Sequence, residues 1–361
     1  MIRISPVRSF LLLLSFAALQ GCRREGMRFR LLSPDRTGVT FANTITTSDS
    51  HDLLTDPYIY NGAGVAIGDV DGDGRPDIYL AGNMVSSRLY LNRGGMRFED
   101  VTARAGVGTD RWATGVSMVD IDGDGDLDIY VSVSGPESST PAERANLLFV
   151  NRGVGRDGIP RFTEEAGRYG IADTGFTTNA VFFDYDRDGD LDLFLLGNPP
   201  GEFARGETGH RSVSMGADPA GFDQLYRNDG SGTFTNVSEK AGILRILGYG
   251  LGVMASDVNR DGWPDLYVSN DMVIPDVLYV NNHDGTFTDR AGEWLGHTSI
   301  AGMGIDIADF TNDGWPDIVQ NDMVPPDLAG RKWATGGSTV TYGDLLAMRR
   351  GGGALQYREN S

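Results

Sequence analysis

Between Asp120 and Asp128 the chain places five carboxylates in nine residues, Asp120-Ile121-Asp122-Gly123-Asp124-Gly125-Asp126-Leu127-Asp128. Like charges this close repel one another unless a cation neutralises them. The chemistry open to such a set is coordination of a hard cation. Calcium takes about six to eight oxygens, and closely spaced Asp side chains supply them. Gly125 permits the tight return that brings the later ligands back over the ion. The first, third, fifth and ninth positions are side-chain ligands in this reading, and the seventh offers its backbone carbonyl.

Four more copies follow the same spacing. Asp69, Asp71, Asp73, Arg75 and Asp77 surround Gly74. Asp184, Asp186, Asp188, Asp190 and Asp192 surround Gly189. Asp257, Asn259, Asp261, Trp263 and Asp265 surround Gly262. Asp309, Thr311, Asp313, Trp315 and Asp317 surround Gly314. A single match of this kind is often only an acidic turn; five matches in one local context predict about five calcium sites. By carboxylate count the second and third loops should bind tightest. The fifth, with Thr311 in place of an acid, should bind weakest.

Extracellular calcium modules have Kd values of about 10⁻⁴–10⁻³ M. At roughly 1 mM calcium each site then contributes about 0.4–1.4 kcal/mol by linkage. Five such sites together rival the marginal stability of a whole domain, which makes the ions structural in this reading.

The flanks exclude an EF-hand, which needs a Glu at its twelfth position and helices on both sides. Here the runs before the loops, such as Gly64-Val65-Ala66-Ile67-Gly68 and Gly115-Val116-Ser117-Met118-Val119, are short and apolar. So are the runs after them, such as Ile78-Tyr79-Leu80 and Leu266-Tyr267-Val268. Both read as strands, so each loop closes a β-hairpin. A second hairpin follows in four of the units, as in Leu89–Gly94 leading to Phe98–Thr102 and Leu225–Gly230 leading to Phe234–Ser238. Asn, Asp and Gly supply its turn. The first aspartates, 69, 120, 184, 257 and 309, stand 51, 64, 73 and 52 residues apart. Four short strands at such a period describe one blade of a β-propeller. The expected fold is therefore all-β.

The differences in repeat length sit at 134–145 and 198–223, between second and third strands. In a four-strand meander that connection lies on the face opposite the metal hairpins, together with the fourth-to-first-strand connections at 108–112 and 244–249. Insertions on one face of an array often mark a binding surface. Trp112 and Trp294 stand near such connections and are candidates for stacking on a sugar or a partner. Trp263 and Trp315 are expected to cover their hairpins.

Net charge is −19, and the five loops hold 20 of the 50 acidic residues. Five divalent ions would bring the balance to about −9, so the acidity belongs largely to the loops. It argues against nucleic acid, whose phosphates need basic surface. The 50 glycines, without a collagen period, suit tight turns. Paired acids can hydrolyse glycosides, but the clustered acids are assigned to metal. The four histidines, His51, His210, His283 and His297, form no triad or ligand motif, and no nucleophile elbow or phosphate loop is present. The chain is therefore expected not to be an enzyme.

Arg3 and Arg8 precede an apolar core, Phe10–Leu19, too short for a stable transmembrane helix. Leu19-Gln20-Gly21-Cys22 resembles the lipobox of bacterial lipoproteins, in which the cysteine is acylated. Cys22 is the only cysteine, so an intrachain disulfide is excluded. The expected organisation is a lipoprotein signal at 1–22, an N-terminal segment at 23–60 and β-propeller repeats over 61–361. Phe29–Val39 reads like the fourth strand of a unit, able to close a ring, and Leu355–Asn360 like a third strand. Lys332–Gly353 is poorly patterned, and the chain reads as incomplete at its C-terminus, so five blades is a lower bound.

The D-x-D-x-D-G-x-x-D loops, the leading G-V-x-x-x-D strand and the trailing L-Y-x-N-x-G hairpin resemble the FG-GAP/VCBS repeat family. Tyr60-Asn61-Gly62-Ala63-Gly64-Val65-Ala66-Ile67-Gly68-Asp69 is similar to the ASPIC/UnbV group, bacterial surface proteins related to cartilage acidic protein. The resemblance covers roughly 29–361. It implies an integrin-α-like β-propeller, usually seven-bladed, with calcium in the hairpin loops and ligands bound on the other face. The carboxy-terminal ASPIC/UnbV module of that group is absent from this sequence. The combined expectation is a calcium-stabilised module on the bacterial cell envelope, tethered to a membrane through Cys22, for adhesion to a protein or glycan. The alternative is an extracellular polysaccharide hydrolase or lyase on the same scaffold.

Overall fold

The computed structural model describes residues 29–49, 51–53, 56, 58–200, 219–244, 248–271, 275–299, 301–323 and, for the backbone alone, 355–357. Four antiparallel sheets follow one another along it, each a meander in chain order. The first contains β1 (Val65–Gly68), β2 (Asp77–Leu80), β3 (Arg88–Asn92) and β4 (Phe98–Asp100). The second contains β5 (Ala113–Val119), β6 (Asp128–Val133), β7 (Leu147–Val154) and β8 (Pro160–Glu164). The third contains β9 (Thr177–Phe183), β10 (Asp192–Gly197), β11 (Gln224–Asn228) and β12 (Phe234–Asn236). The fourth contains β13 (Gly250–Ser256), β14 (Asp265–Asn270), β15 (Val277–Asn281) and β16 (Phe287–Asp289). After β17 (His297–Ser299), a fifth hairpin joins β18 (Gly302–Ala308) to β19 (Asp317–Asp322). These are the blades of a β-propeller, four complete and a fifth represented by two strands among the described residues.

Each first hairpin is pinned in one register. The residue before the first Asp pairs with the ninth-position Asp: Gly68 with Asp77, Val119 with Asp128, Phe183 with Asp192, Ser256 with Asp265 and Ala308 with Asp317. All five loops therefore leave their sheets at the same point.

The middle strands β6, β10 and β14 are buried along their whole length. They carry apolar residues on both faces because each blade is sandwiched between neighbours. Ile129 and Val131 pack toward the first blade, while Tyr130 packs toward the third. Phe194 and Leu196 face the fourth blade, while Leu193 and Leu195 face the second. The core is thus a series of inter-blade layers. On the fifth hairpin, burial alternates along β18, and Val319 is exposed.

The first strands of successive blades, β1, β5, β9, β13 and β18, lie side by side around an axis. Glycines five residues before the first Asp permit this approach. A Cβ on Gly64 would stand 2.7 Å from the Val116 nitrogen, and one on Gly115 2.6 Å from the Thr178 carbonyl oxygen. Thr114 Oγ1 donates to the Thr177 carbonyl at 2.6 Å and Ser117 Oγ to that of Ala180 at 2.8 Å, tying β5 to β9.

At the outer edge, a helical turn follows each fourth strand, and in the first three blades it ends in a left-handed glycine. Gly106, Gly170 and Gly242 have φ near +80° and lie against the backbone carbonyls of Phe162, Phe234 and Phe287 in the next blade. Gly38, capping the turn Pro34–Thr37, lies in the same way against Phe98 of the first blade. Ser33–Gly38 thus occupies the place of a preceding blade's turn, in keeping with the expected register of the N-terminal segment. Among the described residues Phe29–Leu32 have no sheet partner, and Phe29 and Leu31 are exposed; most of the last blade, with which this segment would close a ring, lies outside the described residues.

Leu355–Tyr357 is a strand, β20, but not the third strand of the fifth blade. It pairs in parallel with β17. The unpaired N–H and C=O groups of that edge receive it instead of β19. The expected signal and the acylated Cys22 lie outside the described residues, as do Lys332–Gly353 and most of the 198–223 insertion. Among the described residues no helix is long and apolar enough to cross a membrane.

Candidate metal centres

The metal loops are organised first by their own backbone. In all five, the first Asp accepts N–H bonds from the fifth and sixth residues. Asp69 takes Asp73 N at 3.1 Å and Gly74 N at 2.7 Å; Asp309 takes Asp313 N at 3.0 Å and Gly314 N at 2.9 Å. The fifth-position Asp accepts from the seventh N–H, as Asp124 does from Asp126 at 2.9 Å. The sixth glycine holds φ between 84° and 98° in every copy, a conformation that costs other residues strain. This is why glycine recurs there.

In the first four loops the ninth Asp is buried, and each of its oxygens is held by a backbone N–H. Asp128 accepts from Ile121 at 2.9 Å and from Asn151, at the end of the third strand, at 2.7 Å. Asp77, Asp192 and Asp265 repeat this with Val70 and Asn92, Tyr185 and Asn228, and Val258 and Asn281. Burial pushes these carboxyls up, to about 6 for Asp77, Asp128 and Asp265 and about 7 for Asp192. The N–H bonds offset part of that rise, and the neighbouring loop carboxylates add to it. Burial, followed by the adjacent acids, also raises Asp71, Asp122 and Asp186. Negative charge is unwelcome in these loops without a counter-charge.

In three loops the first, third and ninth carboxylates converge. One oxygen each of Asp69, Asp71 and Asp77 lies within 4.8 Å of the others, and so do those of Asp120, Asp122 and Asp128, and of Asp184, Asp186 and Asp192. Two oxygens at about 2.3–2.6 Å from one calcium are at most about 5 Å apart, so these sets fit a single ion. The donors are all oxygens, as a hard cation requires. In the fourth and fifth loops Asn259 and Thr311 replace the third acid, so three carboxylates do not gather there. The fifth departs further: Asp317 accepts from Thr311 N at 2.9 Å rather than from the second residue.

The fifth and seventh positions do other work in part. Asp73 is ion-paired with Arg75, whose Nε also donates to the Asn92 carbonyl at 3.0 Å. Burial works against ionisation of Asp261, but hydrogen bonds from His283, Trp263 N–H and Asn259 hold it below the usual carboxylate range. Asp188 and Asp313 accept from Asp190 N and Trp315 N. The side chains of Asp126 and Asp190 lie near the outer-hairpin glycines Gly153 and Gly230. Asp124, Asp188 and Asp313 belong to none of the converging groups.

A family model described as "FG-GAP-like repeat" matches residues 69–131, 213–268 and 257–319. The chain carries FG-GAP-like repeats. It is 27% identical over 327 residues to cartilage acidic protein 1 of Homo sapiens, covering 87% of this chain and 48% of that protein. It is 26% identical over 301 residues to cartilage acidic protein 1 of Xenopus tropicalis, covering 79% and 44%. The chain spans about half the length of these curated relatives. Among solved structures it is similar, at 18% identity and a TM-score of 0.39, to an Agrocybe aegerita lectin described as recognising non-reducing terminal N-acetylglucosamine; 71% of this chain and 60% of that one are covered.

The FG-GAP-like repeats are also joined loop to loop. Asn281 Nδ2, at the end of β15, donates to the Pro264 carbonyl at 3.2 Å and across the blade boundary to the Tyr185 carbonyl at 2.8 Å. Asn151 does the same with Leu127 at 3.2 Å and Val70 at 3.0 Å. Each thus fastens the second residue of one metal loop to the next blade. A second link uses the fourth loop residue. The Arg187 guanidinium lies 5.5 Å from the Trp263 ring centre and that of Arg260 5.1 Å from Trp315, one blade on. Trp263 in turn stacks on His283 at 4.9 Å. Trp263 is half-buried by these contacts, as expected of a cover, whereas Trp315 remains 51% exposed. Sequence reasoning treated the asparagines as turn residues and passed over the arginines. Their recurrence at one place in the repeat was the available signal.

Proposed function

We propose that this chain is an extracellular, calcium-held propeller that binds a protein or glycan ligand by the face opposite its metal loops. The observation that carries it is the convergence of the first, third and ninth carboxylates in three successive loops, on a backbone scaffold common to all five. Calcium is structural in this reading. It neutralises carboxylates that burial and crowding disfavour, and it fixes hairpins that lead directly into the buried middle strands. The loop acids serve the ion and the fold, which leaves binding without turnover as the activity. Export and a lipid tether at Cys22 belong to the same reading and rest on the sequence.

The test compares thermal unfolding of the chain from residue 23 onward in millimolar calcium and in excess chelator, with calcium stoichiometry by titration. A large calcium-dependent rise in Tm with several ions bound supports the reading. An unchanged Tm refutes it.

A further inference from the structure

On the face away from the metal loops, the first strands surround a cavity of about 730 Å³. That is the size of a small-molecule site. Its floor is the start of the inner strands, including Thr114, Asn179 and Gly304. Its wall is formed by Asp56 and by residues of the segment Tyr58–Gly64. Tyr58 leaves the first blade to donate from its hydroxyl to Asp271 Oδ2 of the fourth at 3.2 Å, and its ring stacks on Tyr249.

Four features define what the cavity accepts. Aromatic surface is available: Tyr60 is 61% exposed, and Trp112 is steadied by an edge-on contact with His51 at 5.1 Å. Amides come from three places. Asn61 lies on the strap, Asn179 on β9 and Asn198 just after β10. Among the described residues the Asn198 oxygen, in a residue only 4% exposed, has no hydrogen-bond partner, an arrangement proteins rarely leave unless something donates to it. Asn179 has its oxygen engaged by Ala180 N at 2.8 Å, so its NH₂ end is the donor. Finally, among the described residues, lysine and arginine do not line the cavity, and the one carboxylate there, Asp56, is itself buried, bonded to Tyr58 N and pushed up by burial.

Among the described residues an anion would therefore find no counter-charge here, and a cation only a buried acid that resists ionising. Flat apolar faces edged by hydroxyl groups match the aromatics, the amides and the unpaired oxygen together. We propose that this axial cavity binds the end of an uncharged glycan chain, one pyranose stacked on Trp112 or Tyr60 and a hydroxyl donating to Asn198. The proposal rests on the reading of the chain as a binding module and names the ligand class of that face.

The experiment is saturation-transfer NMR on the calcium-loaded chain. The probes are the methyl glycosides of glucose, galactose, mannose and N-acetylglucosamine, with glucuronic acid and glucosamine as charged comparators. At least one neutral glycoside should bind, and the charged sugars should not compete. Trp112→Ala, Tyr60→Ala and Asn179→Ala should each weaken it about tenfold. Trp294→Ala, at an exposed site that does not line the cavity, should leave it unchanged. Tyr60 is exposed enough to be truncated safely, so a misfolded Trp112 variant does not stall the test. The proposal is overturned if folded, calcium-responsive protein binds no neutral glycoside, if binding survives both Tyr60→Ala and Asn179→Ala, or if glucosamine or glucuronic acid binds best. Capture of a peptide at these residues would also overturn it while sparing the wider reading. Loss of the calcium response in Tm would instead sink the wider reading, whatever the sugars do.

Discussion

Replacing Asn281 by alanine should separate the contribution of a bond between blades from that of bonds within one. Asn281 is 3% exposed and donates to two carbonyls, Tyr185 in the third blade at 2.8 Å and Pro264 in its own at 3.2 Å. Asn228, at the matching position one blade earlier, donates to Leu191 in its own blade at 3.3 Å. Both residues also accept an N–H, from His283 at 2.9 Å and from Gly230 at 3.1 Å, so that loss cancels in a comparison. A buried carbonyl left without its donor costs about 1–3 kcal/mol. Asn281→Ala should then lose about 2–6 kcal/mol and Asn228→Ala about 1–3 kcal/mol, a difference of about 1–3 kcal/mol carried by the Tyr185 bond. Against a total stability of about 5–15 kcal/mol, that is readily measured. The assay is urea unfolding in saturating calcium, followed by tryptophan fluorescence, with Asn151→Ala expected to match Asn281→Ala. Equal losses at Asn281 and Asn228 would refute the idea that these asparagines join neighbouring loops.

Gly64→Ala should destabilise by more than about 2 kcal/mol, because its Cβ meets three backbone atoms of Gly115 and Val116 in the next blade within 3 Å. Gly72→Ala, in open space at φ +71°, should cost only about 1 kcal/mol, and melting curves of the two variants check the contrast. Asp309→Ala should lower calcium stoichiometry and Tm less than Asp120→Ala, since the fifth loop gathers fewer carboxylates and is exposed; equal effects by titration would contradict the ranking. Asp223, which receives Gly197 N–H at 2.9 Å, is raised by burial to about 7. In the unfolded chain it gives up its proton near pH 4, so between about pH 4 and 7 the folded state binds more protons. Its contribution is therefore fully present below about pH 4 and lost as pH rises through about 7. Urea midpoints in saturating calcium should show that decline in the wild type and a flatter profile in Asp223→Asn.

The parts legible in the sequence were those encoded within one repeat. Loop spacing, the left-handed glycine and the apolar runs lie within about thirty residues, and the hairpins form where Asp69, Asp120, Asp184, Asp257 and Asp309 predicted them. Partners brought together across blades were harder to read. Nothing near Asn281 in the chain points to Tyr185, 96 residues away, and nothing near Tyr58 points to Asp271. The glycine at position 64 was visible as a strand boundary, but its cause is the backbone of Val116 on the next blade. Leu355–Tyr357 went astray for a related reason. Its pattern resembles a third strand, and pairing depends on which edge is open to it. Within the metal loops, spacing named the ligand positions, while the retreat of Asp73 and Asp261 into pairs with Arg75 and His283 depends on neighbours the spacing does not specify.

A glycine that ends an outer turn rests on the same atom type of the next unit four times over, from Gly38 on Phe98 to Gly242 on Phe287. A seam made alike at four successive junctions is interchangeable. A duplicated unit arriving by recombination would meet a ready-made surface on either side, with no new contact to evolve. The number of blades in such a lineage can then drift by whole units.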